Sequence, residues 1–204
     1  MTSIELYVDP VCPFAWVTSR WLLDAATASE RSVNLRQMSL AVLNDGSDVP
    51  PPQRTRIDMS RRAGRLFAAA TDREGPGAFG DLYEALGARV HTNGEEMTDS
   101  MIKEVLAAAN SDSSLIGALD EAAWDDAVRA AHQLSQDALG GKGGSPIIAV
   151  DGTAFFGPVL TDLPTGDAGI ALLDAVLAAA STPGFAVLQR PYQGPPSTGS
   201  AGSR

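Results

Sequence analysis

Two stretches with strand patterns flank a long stretch with helical patterns, and this order constrains the fold more than any other feature. Residues 3–8 and 33–38 alternate apolar and polar side chains on either side of a helical pattern, which predicts a β-α-β unit. Residues 146–156 hold two further strand patterns joined by Asp151-Gly152, a pair typical of a two-residue hairpin turn. Because neither strand pair could close a hydrophobic core alone, we predict one α/β sheet interrupted by a helical insertion.

The predicted boundaries divide the chain of 204 residues as follows. Residues 1–48 and 140–192 are expected to form the sheet domain, and residues 49–139 the helical insertion. Residues 193–204 are rich in Pro, Gly and Ser and are expected to be a disordered tail. Within the insertion, helical patterns cover residues 54–73, 77–91, 98–110 and 119–139.

The composition and charge exclude several classes of function. The formal net charge is −10, so a nucleic-acid partner is not expected, because binding phosphates requires a basic surface. No stretch approaches the roughly 18 uninterrupted apolar residues of a membrane span, and the N-terminus shows no secretory signal. We therefore expect a cytoplasmic protein that binds neither nucleic acid nor a membrane.

The chain contains one cysteine, Cys12, which is the main candidate for chemistry. A single cysteine excludes an intramolecular disulfide, and with two distant histidines it gives no zinc-site spacing, so no metal is expected. Cys12 lies between a strand pattern and a helical pattern, where unpaired N–H groups and the helix dipole favour an anion. These forces predict a thiol pKa lowered from about 8.5 toward neutrality, and hence a reactive thiolate. The alternative is a small buried apolar side chain.

Several segments together resemble one known family. They are residues 9–16 (DPVCPFAW), 16–21 (WVTSRW), 38–44 (MSLAVLN), 144–147 (GSPI) and 155–160 (FFGPVL). Over nearly all of residues 3–190, the chain is similar to the DsbA-like branch of the thioredoxin superfamily, and within it to the mycothiol-dependent nitroreductases. The resemblance implies an α/β, thioredoxin-like fold with a helical insertion domain (DsbA-like).

The sequence departs from that family at Ala15. The family's active site is Cys-Pro-Trp-Cys at the start of the first helix, and its second cysteine would fall at Ala15. A dithiol cycle within the chain is therefore excluded, and monothiol chemistry of Cys12 with a thiol from solution remains. The resemblance implies mycothiol as that low-molecular-weight thiol, with glutathione as the fallback. The substrate would be a small electrophile or a mixed disulfide.

The resemblance also assigns a role to Ser145-Pro146. It implies that this peptide bond is cis, that Pro146 lies against Cys12, and that Ser145 offers backbone groups to a thiol substrate. The alternative is an ordinary proline that opens a strand after a glycine-rich loop.

Other residues near these motifs are weaker candidates for binding. Phe14 and Trp16 could stack on an aromatic substrate, although Trp16 could equally pack on the sheet. His91 follows a helical pattern and could contact the substrate or the thiolate, or cap the end of that helix. Asn44 is a candidate for the mouth of the site. The full set of predicted substrate- or thiol-binding residues is Pro13, Phe14, Ala15, Trp16, Asn44, His91, Ser145 and Pro146.

The sequence leaves open more than one class of function. In the first, the protein is a DsbA-like oxidoreductase or thioltransferase that uses Cys12 with a low-molecular-weight thiol. In the second, it is a thiol-dependent isomerase or transferase, as a resemblance to kappa-class glutathione transferases and 2-hydroxychromene-2-carboxylate isomerases implies. Those enzymes usually carry Ser at the Cys12 position and need no resolving cysteine. A non-catalytic binding protein is the third alternative. The sequence also leaves the oligomeric state open, between a monomer and the dimer that members of this family often form.

Overall fold

A four-stranded mixed sheet forms the centre of the fold. In the computed structural model, which describes residues 2–192 and 194–199, the strands are β1 (Ile4–Val8), β2 (Val33–Gln37), β3 (Ile147–Val150) and β4 (Thr153–Phe156). Their order is β2-β1-β3-β4, with β1 parallel to β2 and antiparallel to β3, and β3 antiparallel to β4. The predicted β-α-β unit and β-hairpin are therefore confirmed, and they join in one sheet.

Each of the four helical patterns of the insertion contains a helix, but several boundaries differ. The α-helices are α1 (Pro13–Ala28), α2 (Leu40–Leu43), α3 (Pro51–Glu74), α4 (Gly77–Gly87), α5 (Asp99–Ala108), α6 (Asp125–Leu139) and α7 (Gly166–Ser181). A π-helix covers Ala88–Thr92 directly after α4, and 3-10 helices cover Ser113–Asp120 and Ala122–Trp124.

Two boundaries differ for local reasons. α3 begins at Pro51, earlier than the predicted residue 54, because proline is compatible with the first turn of a helix. The pattern predicted as one helix over residues 119–139 is divided at Glu121, whose backbone is extended (φ −85°, ψ 105°). α6 therefore begins only at Asp125, in a first turn whose carboxylates favour the helix dipole.

Different helices cover the two faces of the sheet. Ile4 and Leu6 of β1 belong to the same buried cluster as Trp21 of α1, and α7 packs against α1. Tyr7 points to the opposite face, because side chains alternate along a strand, and lies in a second cluster with Leu139 of α6. α6 thus covers the sheet itself, although the predicted domain boundary placed it in the insertion.

The helical insertion and the sheet domain share one hydrophobic core. Phe67 of α3, Leu82 and Tyr83 of α4, and Ile102 of α5 belong to the same cluster of buried side chains as β1. Burying one such side chain contributes roughly 1.5–3 kcal/mol. The shared core therefore holds the insertion firmly beside the start of α1.

The C-terminal segment is the name used below for residues 182–192 and 194–199, which follow α7 and contain no helix or strand. It runs back to the start of α1, where the Tyr192 ring meets the Phe14 ring edge-on with centroids 5.2 Å apart. The chain end thus contacts the first turn of the helix that begins after Cys12.

The predicted disordered tail, residues 193–204, lies partly outside the described residues. Its described part contacts the rest of the protein, since Pro196 is buried and the Ser197 N–H donates to the Thr161 carbonyl (2.8 Å). Within the described ranges, no helix combines the length and the apolar character needed to cross a membrane.

Candidate active site

Cys12 lies at the junction between β1 and α1. It is the N-cap residue of α1, and Pro13 begins the helix. The Cys12 N–H donates to the Asp9 carbonyl, and the Cys12 carbonyl accepts from the Trp16 N–H, both at 3.0 Å. Its thiol donates to the Ser145 carbonyl, with Sγ 3.4 Å from the oxygen. The predicted position of Cys12 at a helix start is therefore confirmed.

The ionisation state of Cys12 differs from the prediction. Only 5% of the residue is exposed, and this burial raises the pKa of the thiol to about 11. The Ala15 and Phe14 N–H groups at the helix start lower the pKa, whereas the nearby Asp9 carboxyl raises it. The predicted thiolate of lowered pKa is wrong for this conformation, because loss of solvation outweighs the helix start. Cys12 is a protonated thiol at neutral pH.

Ser145 lies beside Cys12, as the resemblance implies. The Ser145-Pro146 peptide bond is cis. Ser145 is buried and contacts the cysteine loop twice, since its carbonyl accepts from the Cys12 thiol and its Oγ accepts from the Asp9 N–H (2.9 Å). The two halves of the sheet domain therefore meet at the cysteine.

Asp9 is a candidate residue that the sequence analysis missed. Its side chain is completely buried. Oδ1 accepts from the Val11 N–H (2.8 Å), and Oδ2 accepts from the Leu40 N–H (2.6 Å) and from the Ser60 hydroxyl. Burial raises the pKa of Asp9, and these hydrogen bonds oppose the rise. Leu40 and Ser60 are 31 and 51 residues away, so the only sequence signal was an acid at a strand end beside the cysteine.

Trp16 is packed between α1 and the insertion. Its ring is buried and stacks on the His91 ring (centroids 5.7 Å, interplanar angle 30°) and also contacts Tyr83. A Cβ added to Gly87 would lie 2.1 Å from the Trp16 ring, so only glycine allows this close approach. These contacts favour packing over stacking on a substrate, and the rings that Trp16 contacts belong to the insertion, where the packing alternative expected the sheet.

His91 lies in the π-helix and reaches the cysteine loop. It is buried, and its Nε2 lies 2.9 Å from the Pro10 carbonyl oxygen, to which it must donate because a carbonyl only accepts. Burial lowers the pKa of His91, so the ring is neutral at pH 7. The alternative of a surface histidine capping a helix is wrong, since His91 is buried between the insertion and residues 10–16.

Phe14 and Asn44 occupy the periphery. Phe14 is half-buried, and Tyr192 covers part of its ring. Asn44 follows α2, and its side-chain amide donates to the Leu40 carbonyl (2.8 Å). Because the Leu40 N–H binds Asp9, Asn44 is joined to the cysteine loop through one turn of helix.

The structure separates the second histidine from this site. His132 is buried in α6, and its Nδ1 accepts from the Ser39 N–H (3.4 Å). It lines a surface cavity of ≈ 720 Å³, and a smaller cavity of ≈ 480 Å³ lies near the β3-β4 turn; Cys12 lines neither. In the part of the chain that the structure describes, no group of three His, Cys, Asp or Glu side chains could hold a metal ion.

The four-stranded sheet with its helical insertion and Cys12 at the start of α1 has the DsbA-like, thioredoxin-type fold of several solved structures. Similar solved structures include probable DsbA oxidoreductase SCO1869 from Streptomyces coelicolor (TM-score 0.61, 18% identity, 96% of this chain and 97% of that one). Oxidised BdbD from Bacillus subtilis has a TM-score of 0.55 and 15% identity, over 88% of this chain and 86% of that one. A 2-hydroxychromene-2-carboxylate isomerase has a TM-score of 0.58 and 14% identity, over 86% of this chain and 94% of that one.

The sequence comparison defines the family within that class. The model of the Rv2466c-like family, described as mycothiol-dependent nitroreductase Rv2466c, matches residues 11–190, and the chain belongs to this family. Uncharacterized protein Rv2286c from Mycobacterium tuberculosis is 32% identical over 193 residues, which are 94% of this chain and 83% of that protein. The resemblance stated from sequence is confirmed. With Ala15 at the second cysteine position, the chain is a monothiol variant of its family.

Proposed function

We propose that this protein is a monothiol oxidoreductase or thioltransferase in which Cys12 exchanges disulfides with a low-molecular-weight thiol. Family membership favours mycothiol as that thiol, with glutathione as the fallback. The observation that carries the proposal is the start of α1, where Cys12 contacts the Ser145 carbonyl and Ala15 follows at the second cysteine position. The substrate is a small electrophile or a mixed disulfide.

Atoms and electrons balance in this thiol–disulfide exchange with Cys12 as the only protein thiol. Cys12 loses its proton, its sulfur attacks one sulfur of a substrate disulfide, and the other sulfur leaves and takes up a proton. A thiol from solution then attacks the substrate sulfur, which releases Cys12 as a thiol and forms a new disulfide. With an electron-accepting substrate, Cys12 and one solution thiol supply two electrons and two protons and become a mixed disulfide, which a second solution thiol reduces.

The groups around the sulfur suit this exchange. The Ala15 and Phe14 N–H groups lower the pKa of Cys12 and so stabilise a thiolate once it forms. The thiol must first become accessible, because burial raises its pKa to about 11. Phe14 is half-buried and Tyr192 is 53% exposed, so we infer that a substrate approaches from their side.

One observation favours a second candidate function, a thiol-dependent isomerase or transferase. In this conformation Cys12 is protonated and donates a hydrogen bond to the Ser145 carbonyl, so its S–H is available as a donor without any prior loss of a proton. A protonated Cys12 could instead donate to the sulfur of a bound thiol that does the chemistry. The solved 2-hydroxychromene-2-carboxylate isomerase shares the fold of this chain.

Two assays separate these candidates. In the first, reduced mycothiol is supplied with a nitroaromatic or quinone acceptor, and disulfide formation is followed. In the second, isomerisation of 2-hydroxychromene-2-carboxylate is followed with the same thiol. The proposal expects thiol oxidation that Cys12→Ala and Cys12→Ser both abolish. Isomerisation that survives in Cys12→Ser would establish the second candidate instead, and oxidation at the wild-type rate in Cys12→Ala would refute the first.

Restoring the second cysteine sharpens the first assay. If Ala15 occupies the resolving position, Ala15→Cys should form an internal disulfide with Cys12 under oxidation, seen as a loss of two hydrogen atoms in the intact mass. Ala15→Ser is the matched control, because it fills the same position without a thiol. Failure of Ala15→Cys to close a disulfide would show that the geometry at residues 12–15 is not that of the family motif.

The location and the oligomeric state of the protein are also part of the proposed function. We propose that it acts in the cytoplasm on small molecules and forms a homodimer, as expected for this family. Sedimentation equilibrium of the purified chain tests the dimer, since a single species at the monomer mass over a wide concentration range would exclude it.

A further inference from the structure

The C-terminal segment is attached to the rest of the protein on both sides of Tyr192. Before Tyr192, the Phe185 ring meets the Phe155 ring of β4 edge-on with centroids 5.7 Å apart. After it, the Ser197 N–H donates to the Thr161 carbonyl (2.8 Å). These two attachments fix the course of the chain between them, so the fold itself brings Tyr192 to its place at the start of α1.

Between these attachments the segment is held loosely. All residues from 186 to 192 are exposed, and no backbone hydrogen bond joins them to another residue that the structure describes. The Tyr192 ring contacts the Phe14 ring with centroids 5.2 Å apart and an interplanar angle of 61°. Because a stretch with few buried contacts separates from the protein at low free energy, the Tyr192 ring is a replaceable neighbour of Phe14.

Phe14 is the aromatic side chain near Cys12 that a ligand can reach. It is the second residue of α1, two positions after Cys12, and it is half-buried. Trp16, two positions further on, is buried against the insertion. An aromatic ring of a substrate would meet Phe14 edge-on or offset, at the centroid separations of roughly 4.5–7 Å that aromatic pairs prefer. Tyr192 already occupies one such position.

We propose that Tyr192 is an internal competitor of the substrate, because its ring takes the position beside Phe14 that an aromatic ring of the substrate needs. A ligand that needs this position binds only to molecules in which Tyr192 has left it, so its apparent affinity falls by that fraction. A ring that contacts Phe14 in place of Tyr192 recovers the lost contact, whereas an aliphatic group recovers less of it. The competition therefore favours aromatic substrates. This inference rests on the proposed function, in which Cys12 is the reacting thiol.

The test is the binding of 4-nitrobenzyl alcohol, an uncharged aromatic probe, followed by NMR titration. The parent protein is Cys12→Ser, in which no thiol can react with the probe. Adding Tyr192→Ala should tighten binding about two- to fivefold, the factor that one aromatic contact contributes to an equilibrium. Leu188→Ala is the matched control in the same segment and should leave the affinity unchanged, since that side chain is exposed. Tyr192→Phe should bind like the parent, because the ring remains.

The direction of the change separates competition from its opposite. If Tyr192 and Phe14 held the probe between their rings, Tyr192→Ala would weaken binding, and either this result or an unchanged affinity would overturn the inference. When Tyr192→Ala is present, Phe14→Leu should weaken binding about two- to fivefold, because it removes the ring that the probe contacts. With Tyr192 in place the loss should be smaller, since Phe14→Leu also loosens the competitor. An unchanged affinity for Phe14→Leu in the Tyr192→Ala background would refute contact with Phe14.

Protein that keeps Tyr192 gives a direct measurement of the displacement. In the same titration, the ring resonances of Tyr192 should move toward those of an unpacked tyrosine as the probe saturates its site. Ring resonances that stay fixed while the probe binds would contradict the inference.

Failure of this inference and failure of the proposed function give different results, because binding is measured without a thiol. Displacement of Tyr192 by the probe, together with no thiol oxidation by wild-type protein, would refute the proposed function alone. Thiol oxidation that depends on Cys12, together with an undisplaced Tyr192 ring, would refute the inference alone.

Discussion

On one side of Cys12 the helical insertion packs closely, and on the other the C-terminal segment contacts Phe14 through the exposed Tyr192. Trp16 and His91 are buried and stacked, with Gly87 directly against the Trp16 ring. Tyr192, in contrast, meets Phe14 while 53% of it is exposed, and Leu188 of the same segment is 89% exposed. Residues with few buried contacts open at low free energy, so the two sides differ in stability.

This difference assigns separate tasks to the two sides. The insertion side fixes the position of the cysteine loop, because His91 binds the Pro10 carbonyl and Trp16 fills the space against α4. The C-terminal segment can move away from Phe14 without disrupting the hydrophobic core. We therefore expect a substrate to reach the sulfur from that side. Substitutions on the two sides should therefore differ in their effects on stability and on access to Cys12.

The largest expected effect is that of Gly87→Ala. The added Cβ would lie 2.1 Å from the Trp16 ring, so α4 or the ring must move, at a cost of about 3 kcal/mol in the free energy of unfolding. Urea unfolding measures this loss. Gly80→Ala in the same helix is the control, since no atom lies within 4 Å of its added Cβ, and it should be neutral or slightly stabilising. Equal effects at both positions would contradict close packing on the insertion side.

His91→Phe should lower the free energy of unfolding by about 1–2 kcal/mol, because the Pro10 carbonyl is left without its donor in a buried position. A dependence on pH accompanies this loss. Burial lowers the pKa of His91 in the folded protein, so the unfolded chain binds the proton more readily and stability falls as pH drops below about 6.5.

The control for His91→Phe lies in α6. Burial also lowers the pKa of His132, so wild-type protein should lose stability below pH 6.5 through both histidines, and each single replacement should flatten the dependence only in part. Unfolding free energies at pH 7.5 and pH 5 check this expectation. An unchanged pH dependence in His91→Phe would show that His91 is not held neutral by the fold.

Tyr192→Ala should change access more than stability. Loss of the edge-on contact with Phe14 should cost about 0.5–1 kcal/mol. The rate of Cys12 alkylation should rise several-fold, because the C-terminal segment loses its contact with Phe14 and moves away from the site more readily. Leu188→Ala is the control in the same segment and should leave both quantities unchanged, since that side chain is almost fully exposed. A faster reaction in Gly87→Ala than in Tyr192→Ala would reverse the assignment of the two sides.

The smallest effect is expected for Arg20 of α1, which contacts the insertion side at the surface. Its guanidinium pairs with Glu84 of α4 and lies 5.6 Å above the Trp16 ring. Both partners are partly exposed, so Arg20→Ala should cost about 0.5 kcal/mol, and less in high salt. A double-mutant cycle with Glu84→Gln measures the pair alone, and a coupling above about 2 kcal/mol would contradict a surface role.

The features that could be predicted from the sequence are those that depend on a local pattern of residues. The alternation in residues 3–8 and the Asp151-Gly152 turn correctly predicted β1 and the hairpin. The family motif located Cys12 at the start of α1 and the cis bond before Pro146. These features depend on neighbours in the chain or on residues that the motif itself contains, so no tertiary information was needed.

What the sequence could not predict depends on residues that are distant in the chain. The pKa of Cys12 rises because several segments meet over the thiol, whereas the helix start that would lower it is visible locally. The role of Asp9 could not be predicted, because its hydrogen-bond partners Leu40 and Ser60 come from α2 and α3. The burial of His91 likewise follows from the packing of the insertion on residues 10–16, which periodicity alone does not specify.

The central claim is that one protein thiol and one solution thiol complete the cycle. Intact-mass analysis after incubation with oxidised mycothiol, and separately with oxidised glutathione, tests it most directly. We predict a single adduct at Cys12 with mycothiol, absent in Cys12→Ser and removed again by reduced mycothiol. Protein that keeps its unmodified mass with both disulfides, at every pH up to that at which the Cys12 thiol ionises, would show that Cys12 does not carry out this cycle.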